Sequence, residues 1–279
     1  MVSWTVRGNV TTSPSDVRIT RGALVIAIGD SVTAGVGAPV GQAWTDHLGL
    51  LLRKRDTPLQ RIALPGAGID FLAGEPMDRV GGLSTQTPPT VLVMLGHNDA
   101  LRWAPGARSG FEKLRRSPAA RAAGGEAAQW RGPRLWRAIR WAWMAANPSA
   151  PAVVDTQQLS TQMQLRLSPL RDAVKEKGGQ LVLLTYLVPG EPPAGLDPDL
   201  ADVIRASRQA QAAVNQAIRQ AAMELDVAII DLEAIVDVPM IWNLDVFVDH
   251  IHLSPRSASR IAAAIDRQLH HPVAGGTDQ

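Results

Sequence analysis

The chain has no cysteine. That excludes disulfides, thiolate metal sites and a cysteine nucleophile, and it leaves the compartment open. No run approaches the ~18 unbroken apolar residues that cross a bilayer as a helix. Met1 to Arg21 is polar and lacks the apolar core of a secretory signal, so a cytoplasmic protein or the trimmed mature form of a secreted one is expected. Net charge is also small, +2 over 279 residues, which speaks against a general nucleic-acid binder. Aromatic residues make up only 4% of the chain, with one tyrosine and three phenylalanines beside eight tryptophans. A hydrophobic fraction of 46% against 19% charged residues belongs to a chain that folds.

The charge that is present is unevenly spread. Nine arginines and Lys113, against Glu112 and Glu126, give the stretch 102–150 a local charge of +8 and leave −6 for the rest. Five of the eight tryptophans stand there as well: Trp103, Trp130, Trp136, Trp141 and Trp143. Leu135, Trp136, Ile139, Ala142, Trp143 and Ala146 follow helical spacing. Three roles fit such a segment: a helical elaboration packed on the domain, a lid or wall over a pocket, or an interfacial helix through 130–146 that makes peripheral contact with anionic headgroups.

Elsewhere, short apolar runs alternate with longer helical patterns. Ala23–Ile28, Leu59–Leu64, Thr90–Leu95, Gln180–Tyr186 and Val227–Asp231 read as buried strands. Helices are predicted near Ala43–Arg55, Thr156–Lys177, Asp199–Leu225 and Pro255–Leu269, the second of them ended by Gly178-Gly179. Such alternation implies an α/β fold: a three-layer α/β/α sandwich on a parallel sheet of about five strands. Ligands in such folds sit beyond the carboxyl ends of the strands. There the sequence places Gly29-Asp30-Ser31, Pro65-Gly66-Ala67-Gly68 and Gly96-His97-Asn98-Asp99.

Ser31 follows a strand at a helix entrance, where it is either a helix cap or a hydroxyl exposed for attack. As a nucleophile it needs a histidine base. His47 lies within a predicted helix and His270 and His271 near the C-terminus, which leaves His97 and the Asp249-His250-Ile251-His252 segment. In that segment Asp249 is three residues before His252, so one turn brings the carboxylate to the imidazole, fixing its tautomer and stabilising its charged form. Asn98 and Gly66 offer an amide and a close backbone approach to an oxyanion, or else serve as a turn cap and a tight turn. Asp249, His250 and His252 also make a candidate metal site, but adjacent residues rarely converge on one ion and no second cluster adds ligands.

These segments, Gly29-Asp30-Ser31-Val32-Thr33-Ala34-Gly35, Pro65-Gly66-Ala67, Gly96-His97-Asn98-Asp99 and Asp249-x-x-His252, occur in the order of the four blocks of the SGNH, or GDSL-type, serine esterases. The chain resembles that family from about Ala23 to Leu269, apart from the stretch after Asp99. The resemblance implies a flavodoxin-like domain with strand order 2-1-3-4-5, expected over 23–279; the stretch at about 102–150 reads as a helical insertion in it and 1–22 as an N-terminal extension. It implies Ser31 as nucleophile, His252 as general base and Asp249 as its orienting partner. The oxyanion hole would be the N–H groups of Ser31 and Gly66 and the side-chain amide of Asn98, with Gly68 as the alternative glycine. In one departure, Arg61 stands where relatives often carry asparagine a few residues before the second-block glycine. No cofactor is implied. The substrate would be a small-molecule, glycan or lipid ester. O-acyl transfer to a sugar and a non-catalytic membrane- or partner-binding module are the alternative functions. No G-x-S-x-G elbow of the α/β-hydrolases is present.

Overall fold

The computed structural model describes residues 19, 23–84, 88–103, 154–196, 198–248 and 251–270. The extension at 1–22, other than Ile19, therefore lies outside the described residues, as does the insertion beyond Trp103 with its tryptophan stretch 130–146.

The five apolar runs form one sheet. β1 (Val25–Gly29) and β3 (Thr90–Met94) are buried at every position, the composition expected of strands covered on both faces. β2 (Leu59–Ala63) lies at one edge, and β4 (Gln180–Leu184) and β5 (Ala228–Ile230) extend the other side, giving the order β2-β1-β3-β4-β5. Every pairing is parallel; in the central pair Val25 stands opposite Thr90 and Gly29 opposite Met94. Parallel neighbours need crossovers, and helices supply them.

Ser31–Ala34 is a single turn, α1, directly after β1. α2 (Trp44–Arg53) leads to β2, and a 3-10 turn (Ile69–Ala73) with α3 (Glu75–Gly81) leads toward β3. α4 (His97–Trp103) follows β3, and α5 (Thr156–Glu176) precedes β4. α6 (Pro198–Leu225) joins β4 to β5, and α7 (Leu232–Ile235) and α8 (Pro255–His270) complete the described chain. α2 packs against α8 and α5 against α6, one helical layer on each side of the sheet. α8 shows why: Ala258, Ile261, Ala262, Ile265 and Leu269 are buried along one stripe at helical spacing. At its far end Arg55, just past α2, bonds Asp266 at 3.2 Å, tying that end of α2 to α8. Among the described residues, no helix is long and apolar enough to cross a membrane.

Candidate active site

Two residues 221 positions apart in the chain meet at the carboxyl edge of the sheet. His252 Nε2 lies 2.9 Å from Ser31 Oγ, within hydrogen-bond range. Each is placed by its own local structure. Ser31 is the first residue of α1, but it is not the cap: Asp30 is, its carboxylate accepting the Val32 N–H at 2.9 Å. The Ser31 hydroxyl is therefore not spent on the helix. His252 sits on a tight reversal in which the Val248 N–H donates to the His252 carbonyl at 2.8 Å and the Ser254 N–H to the Val246 carbonyl at 2.9 Å. Phe247 and Leu253 bridge the same reversal, and His252 is buried, 6% exposed.

Gly37 is the residue against which this reversal rests. Its φ of +84° lies in the left-handed region, and a Cβ there would stand 2.6 Å from Val248 Cγ2 and 3.5 Å from His252 Cβ. Any larger residue pushes on the loop that carries the imidazole.

Asn98 is the second residue of α4, close to the same edge. Its Nδ2 donates to the Ala67 carbonyl at 2.9 Å and makes a longer contact, 3.4 Å, with Asp30 Oδ2. Gly66 occupies the turn closed by the Ala67 N–H to the Leu64 carbonyl at 2.9 Å, with φ +79°. The Asn98 amide is thus fastened to the loop that contains Gly66. Asp99 fastens the next residues, accepting the Ile69 N–H at 2.8 Å. Gly68 has an extended φ of −98° and starts the 3-10 turn.

Asp249 and His250 lie outside the described residues. The remaining described histidines stand elsewhere: His47 within α2, His97 buried with its ring centroid 6.1 Å from that of Tyr186, and His270 one turn after Asp266, whose carbonyl its Nδ1 meets at 2.8 Å; His271 lies outside the described residues. Arg61, the residue at the departure from the family pattern, bonds Thr45 at 3.1 Å and Asp46 at 3.4 Å, tying β2 to α2.

Asp30 is the residue whose weight the sequence does not reveal. It is fully buried and takes bonds from Val32, from the Tyr186 hydroxyl at 2.8 Å and, weakly, from Asn98. Burial pushes its carboxyl from 3.8 up to about 6, and Asp99 adds to that; Val32, Tyr186 and the positive field of His252 pull the other way. Because the folded value is the higher one, the folded state holds the proton more tightly, and this group's contribution to stability falls as pH rises from about 4 to about 6. Relative to the wild type, Asp30→Asn is therefore expected to gain up to about 3 kcal/mol across that window. Denaturant unfolding of both proteins at the two ends of the window checks this, and a constant difference contradicts it.

Comparison with solved structures finds the same fold. Similar solved structures include the extracellular lipase of Streptomyces rimosus, 17% identical with a TM-score of 0.50 over 88% of this chain and 99% of that one. Phospholipase A1 of Streptomyces albidoflavus NA297 is also 17% identical, at 0.53 over 88% and 99%. A variant of the acetyl-xylooligosaccharide esterase Axe2 from Geobacillus is 14% identical, at 0.53 over 94% and 100%. At such identities the likeness is one of fold. Curated protein sequences gave no match. A family model, however, matches residues 27–258, which contain Ser31, Gly66, Asn98 and His252. The chain belongs to the GDSL-like lipase/acylhydrolase family and is a carboxylic ester hydrolase.

Proposed function

We propose that the chain cleaves carboxylic esters through an acyl-enzyme on Ser31, with His252 as general base. The observation that supports this most is the 2.9 Å separation of His252 Nε2 and Ser31 Oγ, the geometry a base needs before its pKa matters. Oγ attacks the ester carbonyl carbon as Nε2 takes its proton. The tetrahedral oxyanion collapses, the C–O bond to the alcohol breaks, and His252 returns the proton to that leaving oxygen. Water then attacks the acyl carbon, its proton passing to His252, and the second collapse releases the acid and restores the Ser31 hydroxyl. Asp249, three residues before His252, is assigned to orient the imidazole.

The oxyanion would take the N–H groups of Ser31 and Gly66 and the Asn98 amide. Asn98 reaches it by giving up its 3.4 Å contact to Asp30 while keeping the 2.9 Å bond to Ala67. One such donor is worth ~3 kcal/mol of barrier, so Asn98→Ala should lower kcat by about 10²- to 10³-fold with a smaller change in KM. Equal kcat in the two proteins would remove Asn98 from the site. Gly37→Ala should act on geometry instead: a shift of the His252 loop of ~1 Å costs about 10²-fold. Wild-type turnover in that variant would show that the loop tolerates the extra carbon.

The pH dependence follows from which forms work. His252 must be neutral to accept a proton, and its free value is ~6.5. Asp30 titrates at about 6 nearby, and its negative charge favours the charged imidazole, so the two share a composite acid limb. Activity should be full at slightly alkaline pH and fall as pH drops through that range. A profile flat to pH ~4 contradicts a histidine base.

Hydrolysis of p-nitrophenyl esters from acetyl to palmitoyl tests the reading and sorts the substrate class. Turnover on acetyl alone places the substrate among acetylated small molecules or glycans; a long-chain optimum places it among lipids. No turnover on any ester by folded protein would count against the hydrolytic mechanism and for acyl transfer.

A further inference from the structure

One buried side chain contacts the site without any part in the chemistry above. Tyr186, 2% exposed, stands two residues beyond β4. Its hydroxyl donates to Asp30 Oδ2 at 2.8 Å, and its oxygen takes the backbone N–H of His97, the residue before Asn98. Asp30 in turn caps α1 through Val32 and contacts the Asn98 amide. One phenol therefore touches both the nucleophile segment and the segment carrying the assigned oxyanion donor.

The phenol is itself held. The side-chain amide of Asn215, buried in α6, bonds both backbone groups of Tyr186: its Oδ1 accepts the N–H at 2.8 Å and its Nδ2 donates to the carbonyl at 2.9 Å. Asn215 Nδ2 also donates to Glu233 at 2.9 Å, and Arg219 bonds Glu233 at 2.6 Å and Asp231 at 2.7 Å. A polar network on α6 and the end of β5 thus fixes the backbone from which the phenol projects. Asparagine pairing with both groups of one residue leaves that residue little freedom to shift.

We propose that Tyr186 is a positioning residue for the nucleophile, its hydroxyl holding Asp30 and, through Asp30, both the turn that presents Ser31 and the amide of Asn98. The inference rests on the hydrolytic reading of Ser31. A phenol suits this place because Asp30 is fully buried and needs donors on both oxygens. Phenylalanine would fill the same space and leave Oδ2 with the long Asn98 contact alone. The charged and titratable groups facing Asp30 are His252 from the reversal before α8, Asp99 from α4 and Tyr186 itself. Without the phenol, the Asp30 carboxyl rises further, and protonated Asp30 holds Asn98 and Val32 less strongly at a pH where the wild-type carboxylate is still charged.

Tyr186 is the sole tyrosine of the chain, so it can be watched directly. With the full protein labelled with ¹³C at tyrosine Cζ, the single resonance should move with the Asp30 titration near pH 6. That step should vanish in Asp30→Asn. Burial, then the charge of Asp30, push the phenol well above its ordinary range, so the wild-type tyrosinate band should be absent at pH ~10, the free value. In Tyr186→Phe, with folding checked by circular dichroism, the labelling of Ser31 by a fluorophosphonate should slow about tenfold. Turnover of p-nitrophenyl acetate should lose kcat with KM within about twofold, and its acid limb should move to higher pH. A resonance flat through the acid range with a tyrosinate band at pH ~10 overturns the proposal, as does a Tyr186→Phe protein with wild-type rate and an unmoved acid limb. Wild-type protein that takes no fluorophosphonate defeats the hydrolytic reading instead, and the tyrosine resonance still decides whether Tyr186 holds Asp30.

Discussion

Ser31→Ala is expected to abolish ester hydrolysis while leaving the protein folded and nearly as stable as the wild type. The two halves of that expectation come from one geometric fact. The α1 cap is Asp30, through Val32, so the Ser31 hydroxyl can be removed without uncapping the turn. What is lost is its bond to His252 Nε2 at 2.9 Å, and with it the atom that would carry the acyl group. Removing a serine nucleophile costs ~10⁴- to 10⁶-fold in kcat, because the remaining groups act only with it. A surface-accessible Ser→Ala change that breaks no cap costs under ~1 kcal/mol. The measurement is turnover of the best p-nitrophenyl ester beside denaturant unfolding. A variant that keeps a tenth of wild-type turnover would place the chemistry on another residue, and one that unfolds would show that Ser31 is structural after all.

Gly29→Ala should fail for the opposite reason: it destroys the fold on which the site stands. Gly29 ends β1, and a Cβ built there would lie 2.0 Å from Thr33 Oγ1, 2.5 Å from Thr33 Cβ and 2.9 Å from the Met94 carbonyl. Thr33 is fully buried in the turn that presents Ser31, and Met94 belongs to the neighbouring strand β3. Neither can withdraw, because one is clamped by α1 and the other is sheet backbone. Overpacking of this kind costs about 3 kcal/mol or more, a large part of the stability of an ordinary domain. Gly66→Ala is the informative contrast. No atom lies within 4 Å of a Cβ at Gly66, and only its φ of +79° opposes a side chain, a cost of ~1–2 kcal/mol. Unfolding curves of the two variants should therefore separate widely. Equal midpoints would mean that the β1–α1 junction relaxes around the extra carbon.

Much of this arrangement is legible in the amino-acid order, and the parts that are not share a physical character. Each of the five strands appears as a short apolar run because a parallel sheet covered on both faces buries consecutive residues. The runs read long at their ends: Leu95 and Tyr186 are buried beyond the last ladder residues, Met94 and Leu184, and burial alone does not mark where pairing stops. The long helices α5 and α6 announce themselves by period, whereas the 3-10 turn at Ile69–Ala73 and α3 are too short to repeat one.

For the candidate site, the order of the motif blocks points to Ser31 and His252, and the fold brings them to 2.9 Å. Asn98 and Gly66 are brought to neighbouring loops through the Ala67 carbonyl. Asp249 lies outside the described residues and keeps its role as a proposal. The support beneath these residues was not legible. Asp30 reads as one letter of a motif, Tyr186 as an aromatic at the end of a buried strand, and Asn215 as a polar residue in a helix. Their bonds span 156 and 29 positions, and a hydrogen bond between distant segments leaves no local period. The usable signal was chemical: a carboxylate in a segment destined for burial needs donors, and the chain has one tyrosine to give.

The central claim, that Ser31 is acylated with His252 as its base, is tested most directly by a fluorophosphonate followed by peptide mapping. The account expects one adduct per chain, on the peptide bearing Ser31, forming quickly at pH ~8 and slowly at acid pH, where a histidine base is protonated. In His252→Asn the adduct should form orders of magnitude more slowly. An adduct on any other residue, or none on folded wild-type protein, would contradict it.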